Sequence, residues 1–118
     1  MAVVRLNQEA YNQARSIIEN GLEVEHDKNW EAVKPTEDEV IHFLDTHSLK
    51  DYGRWFLGID PDADPDDKSK YLYPSGDLKV IHKSALELSE KEAARKGDGD
   101  VAAAARKLLT LIEQNKKL

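Results

Sequence analysis

The chain has 118 residues, with 17 Lys and Arg against 23 Asp and Glu, a formal net charge of −6. That length suits one domain with its own core, and the absence of cysteine excludes disulfides, thiolate metal sites and thiol catalysis. Affinity for phosphate backbones and anionic lipid is built from Lys and Arg contacts, so the acidic balance argues against nucleic acid and membrane as partners.

The apolar start, Met1 to Leu6, is too short for a signal peptide, and no apolar run is long enough to span a bilayer. Together with the missing cysteine, this reads as a cytoplasmic chain. Asn7 stands where an N-cap belongs, before a helix predicted over 8–20. Ala10, Ala14, Ile17 and Ile18 share one face of it, and Gly21 is its stop. Residues 22–33, LEVEHDKNWEAV, are too polar and interrupted for a helix. Leu22 and Val24 alternate, which fits either a short hairpin around Asp27–Asn29 or an irregular loop that docks Trp30 into the core.

Pro35-Thr36-Glu37-Asp38-Glu39 is the sharpest local signal. Thr36 as N-cap with Glu39 three residues on forms a capping box, and the acids suit the positive end of a helix. That helix is predicted over 37–46, burying Val40, Ile41, Phe43 or Leu44. Ser48 caps a third helix over 49–57, with Leu49, Tyr52, Trp55 and Phe56 as core candidates and Gly58 as its end.

Residues 59–77 read IDPDADPDDKSKYLYPSGD. Alternating aspartates are how hard cations are caged, so Asp60, Asp62, Asp64 and Asp66 raise a calcium reading. Aligned as a calcium loop from Asp60, however, the sequence puts Pro65 where the turn needs Gly and Tyr71 where a closing Glu belongs. The alternative is a solvated loop, since Asp60-Pro61 and Asp64-Pro65 each start a turn. Tyr71, Tyr73 and Pro74 are then expected to pin its second half to the helices.

A long helix is predicted over 78–96, with Ile81, Ala85, Leu88 and Ala93 near one stripe. Gly97-Asp98-Gly99-Asp100 breaks it, and Asp98 or Asp100 caps a last helix to about residue 115. Val101, Ala105, Leu108, Leu109 and Ile112 recur with helical spacing, and Lys116 and Lys117 sit at its negative end. The expected architecture is therefore all-α: a single domain, 1–118, of five helices with one long acidic loop and a short hairpin near 22–33.

Candidate chemistry is thin. His42 and His47 are five residues apart, which does not stack them on one helical face as a metal pair. Ser75, Asp77 and His82 contain the residue types of a catalytic triad, but no strand-to-helix elbow surrounds the serine. The plainer reading has Ser75 or Asp77 capping a helix and His82 packing in its first turn. PSGD with Lys79 and Lys83 could cradle a phosphate at a helix start, but Asp77 opposes an anion.

The stretches YGRWFLGID (52–60), KYLYPSGD (70–77), VIHKSAL (80–86) and AAARKLLTLIE (103–113) occur in this order. The chain resembles a group of small uncharacterised bacterial proteins that share W-x-L-G-x-D, Y-x-Y/F-P-x-G-D and V-H elements. Segments of similar appearance occur attached to phage head-associated proteins. The resemblance implies a segment order and no mechanism. It also implies that the YPSGD turn and His82 form one unit near Trp55, and that Lys83 keeps a basic residue after the histidine.

The leading expectation is a non-enzymatic protein-interaction or adaptor module that needs no cofactor and has another protein as its partner. The surface expected to carry it comprises Arg54, Trp55, Tyr71, Tyr73, Asp77, His82 and Lys83. One alternative is a small-molecule or anion-binding protein, with enzymatic activity left open, that uses the Tyr73–Asp77–His82 region. A second is cation binding by the aspartates of 60–67.

Overall fold

Two helices at the C-terminal end share the largest interface in the molecule, and the rest of the chain is laid against them. The computed structural model describes residues 4–21 and 24–116. Leu22, part of the predicted hairpin, and Lys117 lie outside the described residues. In chain order the elements are β1 (Arg5–Leu6), α1 (Gln8–Glu19), β2 (Val24–Glu25), α2 (Trp30–Val33), α3 (Glu37–Thr46) and α4 (Leu49–Gly53). Then follow β3 (Phe56–Ile59), a 3₁₀ turn (Lys68–Lys70), β4 (Tyr71–Pro74), β5 (Ile81–His82), α5 (Lys83–Lys96) and α6 (Gly99–Lys116).

The fold is mixed α/β, not all-α. Among the described residues six helices accompany an antiparallel sheet of order β1-β3-β4 and a parallel pair, β2-β5. The predicted helix over 49–57 stops at Gly53, and the aromatic-rich residues after it become β3. Asn7 explains part of this. Its side chain does not cap α1; instead its Nδ2 donates to the carbonyls of Gly53 and Phe56, at 2.8 and 3.0 Å. Its backbone N–H donates to Leu57 O at 2.7 Å. The last carbonyl of α4 is thus satisfied from a distant segment, while the Arg54 N–H closes onto Lys50 O and Asp51 O within the helix.

The acidic stretch closes the β3–β4 hairpin, with Ile59 paired to Tyr71 and Asp60 N–H donating to Lys70 O at 2.7 Å. Its aspartates act on their own backbone. Asp60 Oδ1 accepts from Asp62 N–H and Asp64 Oδ1 from Asp66 N–H, each at 2.9 Å, and Asp67 caps the 3₁₀ turn.

The predicted helix over 78–96 begins at Lys83 instead. Residues 75–82 form a second, tighter hairpin: Gly76 bridges Ile81, and Asp77 N–H donates to Val80 O at 3.1 Å. Leu78 sits at its tip with a φ of 73°, a left-handed conformation that no helix start accepts. β5 then pairs in parallel with β2, so Val24 and Glu25 lie beside Ile81 and His82 rather than in a local hairpin. Trp30, capped into α2 by Asn29, is buried.

One core joins Ala10, Ala14 and Ile18 of α1 to Leu57, Ile81, Leu86 and Ala93, and to Val101, Ala105, Leu108 and Ile112 of α6. Gly97, with a φ of 83°, ends α5 and turns the chain into α6. Two core expectations are overturned. Leu88 is 40% exposed, and none of Val40, Ile41, Phe43 and Leu44 in α3 is buried. Among the described residues no helix is long and apolar enough to cross a membrane.

Candidate functional site

The segment from Tyr73 to His82 is tied down at several points. Its non-glycine residues Tyr73 and Leu78 both have positive φ, 66° and 73°. Such a residue costs on the order of 1–3 kcal/mol and persists only where its surroundings over-determine it. Here they do: the Tyr73 phenol, almost fully buried, donates to Asp98 Oδ2 at 2.5 Å, and the Leu78 side chain is buried. Burial and the Asp98 carboxylate together push the Tyr73 phenol far above the ordinary tyrosine range. Ser89 Oγ donates to Pro74 O at 2.7 Å, tying the same segment to α5.

Each residue of PSGD has a structural duty. Ser75 is 0% exposed; its N–H donates to Trp55 O at 2.8 Å and its carbonyl accepts from His82 N–H at 3.1 Å. At Gly76 a β-carbon would stand 2.3 Å from Val80 O and 2.7 Å from Trp55 Cε3, so only glycine fits. Asp77 Oδ1 accepts from the backbone of Lys79 and Val80, at 3.1 and 2.9 Å. Burial raises the Asp77 carboxyl, but the Val80 N–H, the His82 imidazole and the Lys79 N–H outweigh it and leave the carboxyl below its ordinary value.

His82 is 2% exposed, with its ring tilted against Trp30 at a centroid distance of 5.6 Å. Its Nε2 lies 3.0 Å from Asp77 Oδ2, a close polar contact that is not aligned as a hydrogen bond, and Nδ1 has no partner. Ser75 Oγ also has none. A triad needs a reachable nucleophile bonded to its histidine. Ser75 and His82 make no such bond, and Ser75 is sealed from solvent.

The seven residues singled out from the sequence separate into neighbourhoods. Arg54 pairs with Asp51 at 3.0 Å. Tyr71 covers Gly53 and packs with Tyr52 and Phe56 under Lys70. Trp55 backs Gly76, and Lys83 reaches Glu113 at 3.1 Å. Tyr73 lines a groove of about 380 Å³ with Trp30, Pro74 and Leu88. Asp77 instead lines one of about 480 Å³ between α3 and the hairpin tip, with Phe43, His42 and His47 opposite Leu78. In that groove His47 stacks flat on Phe43, 4.0 Å between centroids.

Asp60, Asp62, Asp64 and Asp66 do not converge with other ligands: among the described residues no group of three or more His, Cys, Asp or Glu is placed to hold a metal ion. Sequence reasoning missed Trp30 as the neighbour of His82 and read Asp98 only as a helix cap. It also assigned α3 to the core. The acids at Glu37 and Asp45, four residues either side of Ile41, were the signal that this stripe is not a core face.

Comparison with protein-family models, with curated proteins and with solved structures found no match. What the fold defines is a small α/β domain with a rigid, strained hairpin and one helix left largely outside the core.

Proposed function

We propose that this chain is a non-enzymatic protein-interaction module, and that α3 is the element that docks its partner. The observation that carries the reading is a ten-residue helix without one buried residue, although it holds Val40, Ile41, Phe43 and Leu44. Its capping box, with both bonds made, supports the helix locally. Ile41 is 51% exposed and Val40, Phe43 and Leu44 are half-buried, so the helix keeps apolar surface flanked by charge, the kind of face with which helices engage grooves on other proteins.

The charges narrow the partner. α3 contains Glu37, Asp38, Glu39 and Asp45 and neither Lys nor Arg. The complementary surface is apolar with a basic rim, which favours a protein over nucleic acid or anionic lipid. A cytoplasmic setting goes with this reading, given the cysteine-free composition.

The test is a photo-crosslinking amino acid placed at position 41, with position 91 on the exposed surface of α5 as control. Crosslinking to a defined protein from position 41, absent from position 91 and abolished by Asp45→Lys, is the expected result. Equal crosslinking from both positions, or none from position 41, overturns the proposal.

A further inference from the structure

The surface that α3 calls for exists on this chain. α1 and α6 pack against each other, and a trough of about 570 Å³ runs between them. Tyr11 and Leu111 give it an apolar floor, and Arg15, Arg106 and Lys107 face a single carboxylate, Glu19. A smaller hollow of about 250 Å³ shares Tyr11 and Lys107 and continues it toward Asp100.

Its cations are available. Lys107 has no ionic partner among the described residues. Arg15 pairs with Glu19 at 3.3 Å and Arg106 with Glu90 at 3.4 Å, with the two arginine side chains 54% and 77% exposed. Pairs this exposed contribute little and exchange partners readily.

The lengths agree as well. The trough walls run over 11–19 on α1 and 103–111 on α6, about 12 Å each at 1.5 Å per residue. The stripe Glu37–Ile41–Asp45 covers the same eight-residue rise, with its apolar side chain central and an acid at each end.

We infer that the trough between α1 and α6 receives the Glu37–Ile41–Asp45 stripe of α3 from a second copy of this chain. The inference rests on α3 being a docking element and names its partner. The contact joins two different surfaces, so it closes as a two-fold dimer where each copy seats its α3 in the other, and otherwise propagates head-to-tail into a ring or an open chain.

Sedimentation equilibrium of the full chain from about 10 µM to 1 mM tests it, alongside two variants of exposed residues. Arg106→Glu with Lys107→Glu disables the trough; Ile41→Gln with Asp45→Gln disables the stripe without creating a charge that the altered trough would attract. The wild type is expected to gain mass with concentration, less so at about 0.5 M salt, where exposed charges are screened. Each variant alone stays monomeric. An equimolar mixture forms a dimer and stops there, because one variant keeps a working trough and the other a working stripe. Lys107→Glu alone serves as the trough variant if circular dichroism shows the double substitution unfolded.

A wild type that stays monomeric throughout overturns the inference, as does a mixture of folded variants that fails to dimerise. A monomeric chain whose position 41 still crosslinks to a different protein removes this partner and leaves α3 as a docking element. No crosslink from position 41 removes both.

Discussion

Replacing Tyr73 by Phe deletes one oxygen from the strained segment 73–82 and keeps the ring that fills the core. Asp98, 8% exposed, accepts from that phenol at 2.5 Å, and no other side chain donates to it among the described residues. A hydrogen bond to a charged group contributes about 1.5–3 kcal/mol, and a buried acceptor left without a donor loses most of that. The expected cost is therefore about 2 kcal/mol. With an unfolding entropy of about 2.1 cal/mol/K per residue, a chain of this length should melt about 8 °C lower. Urea unfolding followed by circular dichroism at neutral pH measures the first quantity and thermal unfolding the second. A double-mutant cycle with Asp98→Ala isolates the pair and should return a coupling of at least about 1.5 kcal/mol. The pH dependence gives a second handle. The phenol is raised in the folded state, so its contribution is complete below the unfolded tyrosine value near 10 and is lost as pH rises toward the folded one. Tyr52 is raised by burial too, so the alkaline loss should shrink in Tyr73→Phe without vanishing. A stability change under about 0.5 kcal/mol with negligible coupling would show that the Tyr73–Asp98 bond does not hold the strained backbone in place.

Two further substitutions probe the hairpin. Gly76→Ala places a β-carbon 2.3 Å from the Val80 carbonyl and against the Trp55 ring, and should cost about 2 kcal/mol or more in chemical denaturation. Gly99→Ala meets nothing within 4 Å and should instead stabilise by roughly 0.4–1 kcal/mol; similar effects at the two positions would contradict the geometry. Asp77 is held below its ordinary value, so its contribution is present above about pH 4 and is lost as pH falls through the folded value. Asp77→Asn should lower stability at neutral pH and flatten the acid limb of a pH–stability curve, and an acid limb as steep as wild type would refute the role.

Elements whose signals are local were legible in the sequence. α1 and α6 follow from apolar spacing, and Thr36–Glu39 and Ser48–Asp51 form the capping boxes their residues announce. The two Asp-Pro turns and the missing calcium ligands were equally local, and the aspartates indeed bond their own backbone. The strands were not legible, because their partners are remote: β3 pairs with β1 and with β4 across the acidic stretch, and β5 with β2. A two-residue strand has no periodicity to read.

The candidate site divides the same way. Sequence alone marked the PSGD turn, since Pro, Gly and Asp favour turns in any context, but it ran residues 78–82 into the following helix; their union with the turn was only what the resemblance implied. Only the tertiary structure decided what the turn is for: Trp55 and the Val80 carbonyl require Gly76, Asp98 holds Tyr73, and Trp30 closes over His82. It also moved α3 out of the core. An amphipathic stripe states that a helix has an apolar face; whether that face is covered depends on which distant residues fold against it, and for Ile41 too few do.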